Sequence, residues 1–235
     1  MTERSTKNQD TNTSAQQDFL TELAEVEQLL LDATAELFPP FRQMVAAQLR
    51  NSYPLRRAGV VLTAGVSAPD DIVVRRQRIS LAAALEMLHL ALAVHMMLAN
   101  TMSSDPANRS LLGSTILAGD YCFSRSAILA VRTGNATVVE IFSDALKRVS
   151  EGHLRHIFAQ AATNYNEDRQ LFVAGAAAAM QLANTPEAAR HAILHLAETL
   201  AQTTAQAEPL DAPEIALDPY QRQRWQVLLH WQPGA

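Results

Sequence analysis

Glu187, His191, His195 and Glu198 follow one another at offsets of four, four and three residues, which a helix places on one face. A His-x-x-x-His pair with a nearby carboxylate can hold a transition metal. No motif supplies an evident further ligand, and a solvent face held by ion pairs is the plainer account. Asp70 and Asp71 are the only adjacent aspartates, and their i+4 neighbours are Val74 and Arg75. Acids at the start of a helix are already explained by its dipole. His153 and His156 lie in "EGHLRH", with Glu151 one turn before Arg155, and read as satisfied surface or interface histidines. His89 and His95 are six apart and cannot share a helix face. Arg75, Arg76 and Arg78 form the only tight basic cluster, read as a solvated helix start. Residue order suggests no Ser-His-Asp or Cys-His triad, and no glycine-rich loop cradles phosphate.

The elements that must position these groups are helical throughout. Residues 1–17 carry almost no large apolar side chain and are expected to form a flexible polar tail ahead of one domain, 18–235. Phe19, Leu20, Leu23, Val26, Leu29 and Leu30 recur at helical spacing until Pro39 and Pro40 break the pattern, and a second short helix follows. A helix from Leu55 to Ala64 ends at Gly65. Leu81, Leu85, Leu88, Leu92 and Met96 then mark the apolar stripe of a long helix, with Met96 facing inwards. Another long helix ends at Gly134 and Asn135, and "ATVVEIFSDALKRVSEGHLRHIFAQAA" follows it. Further helices fit Asn166 to Ala183, Glu187 to Gln206 and Tyr220 to Trp231. No strand-length alternation competes, so the fold class is all-α.

A chain of 235 residues that is 48% hydrophobic can bury one sizeable core. Its formal charge of -5 argues against nucleic acid as the main partner. Cys122 is alone, so there is neither a disulfide framework nor a cysteine zinc site. The start of the chain is polar where a secretory signal needs an apolar core, and no run of about twenty uninterrupted apolar residues offers a transmembrane segment. A cytoplasmic location is expected.

The segments "LAAALEMLHLALAVH", "LAGDYCFSRSAILA", "ALKRVSEGHL" and "QLFVAGAAAAMQLA", in that order, resemble the trans-type polyprenyl diphosphate synthases over roughly residues 40–206. The resemblance implies a single-domain helical bundle of the isoprenoid synthase type. It also implies a prenyltransferase whose two aspartate-rich motifs hold Mg²⁺ against an allylic diphosphate. In a DDxxD spacing, carboxylates at i, i+1 and i+4 share one helix face and one metal.

Several of the implied elements are altered here. The first motif should follow "LAVH", where Met96, Met97 and Asn100 stand instead of carboxylates, and "TMSSDPANRSLLG" offers only Asp105 and Arg109 nearby. Near the expected second motif stand Thr203, Thr204, Ala205 and Gln206. The lysine-threonine pair that contacts diphosphate is replaced by Glu167 and Asp168, which reverses the local charge. Of the basic substrate segment only Arg56 and Arg57 remain as candidate anion contacts. The expectation is a catalytically degenerate homologue with no metal, cofactor or catalytic residue of its own. It would act as a non-catalytic or regulatory subunit in isoprenoid biosynthesis, as a homodimer or as a heterodimer with a catalytic synthase. The resemblance implies pairing through about residues 115–155. A stand-alone binder of a prenyl or other apolar ligand, and a weak or altered prenyltransferase, are the competing readings.

Overall fold

A computed structural model describes residues 2–51, 55–66, 70–99, 106–158, 165–202 and 217–230. All the elements among them are helices: α1 (Thr2–Thr34), α2 (Pro39–Asn51), α3 (Arg56–Ala64), α4 (Ile72–Ala99), α5 (Pro106–Val131), α6 (Ala136–Phe158), α7 (Glu167–Leu182), α8 (Glu187–Gln202) and α9 (Pro219–His230). The all-α expectation holds; α3 ends at Gly65 and α5 before Gly134 and Asn135 as expected, while Pro39 opens α2. Residues 2–17, expected as a tail, instead continue α1. A polar run without helix breakers can extend a helix already nucleated by Phe19, Leu23 and Val26, which are buried. Ala15 is the first buried side chain among those described.

Helix α4 is the centre of the bundle. Its residues Leu81, Ala82, Ala83, Ala84, Leu85, Met87, Leu88, Leu90 and Ala91 are all buried, so the helix is apolar nearly all round and must be surrounded. It packs against α1, α2, α3, α5 and α7. By length and composition alone, Ile72–Met96 could cross a bilayer, yet most of it is buried inside the protein. Each large apolar side chain in this core contributes about 1.5–3 kcal/mol relative to exposure.

Two glycines let helices approach where side chains are large. A Cβ on Gly119 of α5 would lie 2.2 Å from His95 Nε2, and one on Gly152 of α6 would lie 2.1 Å from the Tyr165 ring. These are the glycines of "LAGDY" and "SEG". At the turn into α6, Gly134 takes a positive φ of 63° and Asn135 caps the new helix, accepting from the Val138 N–H at 3.2 Å. Asp71 likewise caps α4 by accepting from the N–H groups of Val73 and Val74, at 2.7 and 3.1 Å.

Of the basic cluster at the start of α4, Arg76 is exposed as expected, but Arg78 is not on a solvated face. Arg78 is fully buried, donating to Glu22 Oε1 at 2.9 Å, to Asp70 Oδ2 at 2.6 Å and to the Gly65 carbonyl at 3.0 Å. Arg75 reaches Glu22 at 3.2 Å and Glu25 at 2.6 Å. From α9, Arg224 donates to Glu22 Oε2 at 2.5 Å. The correction has a simple cause: α1 and α9 close over the start of α4, and the acid at position 22 is buried with them. One carboxylate, 1% exposed, thereby joins three helices.

Glu22→Gln is therefore expected to cost about 3–5 kcal/mol, because it leaves buried guanidinium charge without its partner. Glu25→Gln, at an exposed pair, is expected to cost less than about 1 kcal/mol. Urea denaturation midpoints of the two variants are the measurement. Equal costs would mean that the buried pairing does not hold α9 in place.

Candidate functional site

Arg57, His89, His153 and Glu167 come from four different helices and meet at one end of the bundle. Arg57 opens α3, His89 lies midway along α4, His153 sits near the end of α6, and Glu167 is the first residue of α7. Local sequence explains the α7 start: Asn166 caps the helix, its side chain accepting from Arg169 N–H at 2.9 Å. Acids in the first turn are favoured by the helix dipole. Tyr165, seated over Gly152, fixes the approach to α7 and donates to the Val149 carbonyl at 3.3 Å.

The Glu167 carboxylate is shared between two imidazoles. His89 Nδ1 lies 2.8 Å from Oε1, and His153 Nε2 lies 2.9 Å from Oε2. An ionised carboxylate only accepts, so each imidazole presents its N–H at that nitrogen. Burial alone would raise the Glu167 carboxyl. The hydrogen bonds from His153 and His89, with the charges of His89 and Arg57, outweigh burial and hold it at about 2. The neighbouring Tyr165 phenol is pushed up, first by burial and then by the charge on Glu167.

Arg57 is buried between two acids. It donates to Asp168 and lies 3.7 Å from Glu86 Oε2, while Glu86 Oε1 accepts from the Ala58 N–H at 2.8 Å. Arg56 donates to the Leu200 carbonyl at 3.2 Å, at the C-terminal end of α8, and its guanidinium stacks 5.8 Å from the Phe172 ring. Of the two arginines expected to face an anion, one is thus neutralised by carboxylates and the other serves a helix end.

The positions expected to replace the first acidic motif are only partly visible. Met96 is half-buried. Asn100, the Met97 side chain, Asp105, the Arg109 side chain and residues 203–206 lie outside the described residues. His95 keeps apart from His89, as its spacing requires. It lies 3.4 Å from Asp120 and 3.3 Å from the Ile116 carbonyl, and rests against Phe123.

The other sequence candidates resolve as ion pairs. Glu187 pairs with Arg190 at 3.5 Å and Glu198 with Arg169 at 3.0 Å, so the acids of the α8 face are engaged with arginines. No group of three or more His, Cys, Asp or Glu among the described residues has metal-site geometry. Cys122 is buried, which pushes its thiol up to about 12 and away from reactivity.

Sequence reasoning missed the meeting of His89 and His153 on Glu167, and the part played by Glu86. The signal lay in "LEMLHLAL", where a charged residue and a histidine interrupt an otherwise apolar helix. A buried polar group needs a partner, and two such groups three residues apart point to a shared polar site.

No family model and no curated protein matches the chain. Solved structures do match. A decaprenyl diphosphate synthase from Rhodobacter capsulatus is 24% identical with a TM-score of 0.61, over 82% of this chain and 64% of that one. A polyprenyl synthase from Caulobacter crescentus, complexed with calcium and isoprenyl diphosphate, is 20% identical with a TM-score of 0.60, over 81% and 62%. A geranylgeranyl pyrophosphate synthase from Lactobacillus brevis is 18% identical with a TM-score of 0.60, over 78% and 59%. The chain has the all-α fold of these prenyl diphosphate synthases and spans about six-tenths of their length.

The Glu167 contacts generate a pH dependence of defined sign. The folded-state carboxyl sits at about 2 against an ordinary 4.5, so its contribution is fully present above about pH 4.5. That contribution, up to about 3 kcal/mol, is lost as pH falls from there towards 2. Glu167→Gln should lower stability at pH 7 and flatten the acid limb. Denaturant midpoints of both proteins between pH 7 and the acid limit check this, and parallel pH profiles would sink it.

Proposed function

We propose that this chain is a catalytically degenerate relative of the polyprenyl diphosphate synthases and serves as a non-catalytic or regulatory subunit in isoprenoid biosynthesis. One observation carries the reading: at the bundle end where the resemblance calls for lysine and threonine, the α7 carboxylates Glu167 and Asp168 already take the N–H donors of Arg57, His89 and His153. A diphosphate approaching that end meets negative charge and engaged donors. Met96, Met97 and Asn100 would offer no carboxylate to bring Mg²⁺ between them.

A subunit role draws support from α5. Leu117, Ile128 and Val131 are 69%, 43% and 61% exposed, and with Asp120 and Ser124 they follow at offsets of three, four, four and three along one face. Exposed apolar side chains in such a row suit burial against another subunit, either a second copy or a catalytic synthase. The row lies in the region that the resemblance implies for pairing. A cytoplasmic location belongs to the same reading.

The isolated chain is expected to form no product from isopentenyl diphosphate and labelled allylic diphosphates with Mg²⁺. Adding a full-length synthase from the same source is expected to give a complex with altered rate or product length. Leu117→Asp with Val131→Asp should dissociate that complex, or the homodimer, in light scattering while leaving the helical circular dichroism unchanged. Robust product from the chain alone would overturn the non-catalytic reading. A persistently monomeric chain that binds no synthase would overturn the subunit role.

A further inference from the structure

We propose that the first turn of α7 is a tethered internal anion: Glu167 and Asp168 occupy a cradle made by Arg57, His89 and His153, and so bar phosphate from this end of the bundle. The inference deepens the proposed function. It rests on that reading only in taking no diphosphate substrate to compete for the same donors.

The donors define the cradle independently of its occupant. They come from α3, α4 and α6, and none is within thirty residues of another in the sequence. All three nevertheless point at one short stretch of backbone, the start of α7. His89 and His153 address the two oxygens of one carboxylate separately, at 2.8 and 2.9 Å, and the Arg57 guanidinium takes the next acid along. Two imidazole N–H groups on one carboxylate and a guanidinium on the carboxylate of the next residue are the kinds of donor that phosphate oxygens take. Here the oxygens belong to the protein. The Glu167 contacts with His89 and His153 lie largely out of water, whereas Arg57, itself 7% exposed, meets an Asp168 that is 42% exposed and more fully screened.

Charge explains why the occupant excludes others. Around Arg57 stand Glu86, Asp168 and Glu167, three acids to one guanidinium, with the imidazoles facing Glu167. An incoming phosphate would have to displace a carboxylate held by its own helix at high local concentration. Truncating both α7 acids to alanine leaves Arg57 opposite Glu86 alone and removes the oxygens that engage the two imidazole donors, so that a new anion can take them. Glu86 keeps its bond from the Ala58 N–H throughout.

The test uses inorganic phosphate as the probe and the full chain. Phosphate is titrated calorimetrically into the wild type and into Glu167→Ala/Asp168→Ala at pH 7, with chloride at matched ionic strength as the reference. The double variant is expected to bind at least about ten-fold more tightly than the wild type. Adding Arg57→Ala or His89→Asn is expected to abolish the gain. Equal affinities, or a gain that survives loss of Arg57 and His89, would overturn the proposal. If the double variant folds poorly, Glu167→Ala alone is compared with wild type by the thermal midpoint in phosphate against chloride; a phosphate-specific rise confined to the variant supports the cradle, and its absence counts against it. Synthase assays bear on the subunit reading and phosphate titrations on this one, so the two can fail separately.

Discussion

Burying α4 on nearly every side is the constraint from which the rest of this structure follows. A helix with that many buried leucines and alanines cannot lie at a surface, so α1, α2, α3, α5 and α7 gather round it. The apolar wrapping then dictates the fate of its few polar members. Arg78, Glu86 and His89 are drawn inwards with the helix, and each must find its partners inside the protein or impose an unpaired buried charge. Two polar centres among the described residues arise in this way.

The two centres differ in kind. At the start of α4, one glutamate gathers guanidinium groups from α4 and α9, and the result is mechanical: the last helix is tied to the first and to the core. At the other centre, the partners are donors from α3, α4 and α6 and acids from α7. The α7 carboxylates satisfy these donors within the protein, and the same contacts tie α3, α4 and α6 to α7.

The proposed function gives these contacts a meaning. On that reading the α7 carboxylates would satisfy the buried donors without an exogenous anion, so no unpaired buried charge would weaken the protein. The outward faces of the scaffold, the exposed row on α5 among them, would then be available for association.

Periodicity and breakers were enough to read the helices. The apolar stripe from Leu81 to Met96, the proline pair before α2 and the Gly134-Asn135 turn act through local backbone and burial preferences, which a linear chain displays directly. Glu167 and Asp168 were singled out in the sequence only through a resemblance, as standing where a lysine-threonine pair is expected. Their partners were not legible. His89, His153 and Arg57 are brought together only when α3, α4 and α6 pack, and no spacing along the chain encodes that meeting. Arg78 makes the same point: it looks like part of a solvated basic run until Glu22 of α1 and Asp70 meet it inside the protein. Local order follows from neighbours in sequence, whereas the electrostatic identity of a buried group depends on neighbours in space, and only the tertiary structure supplies those.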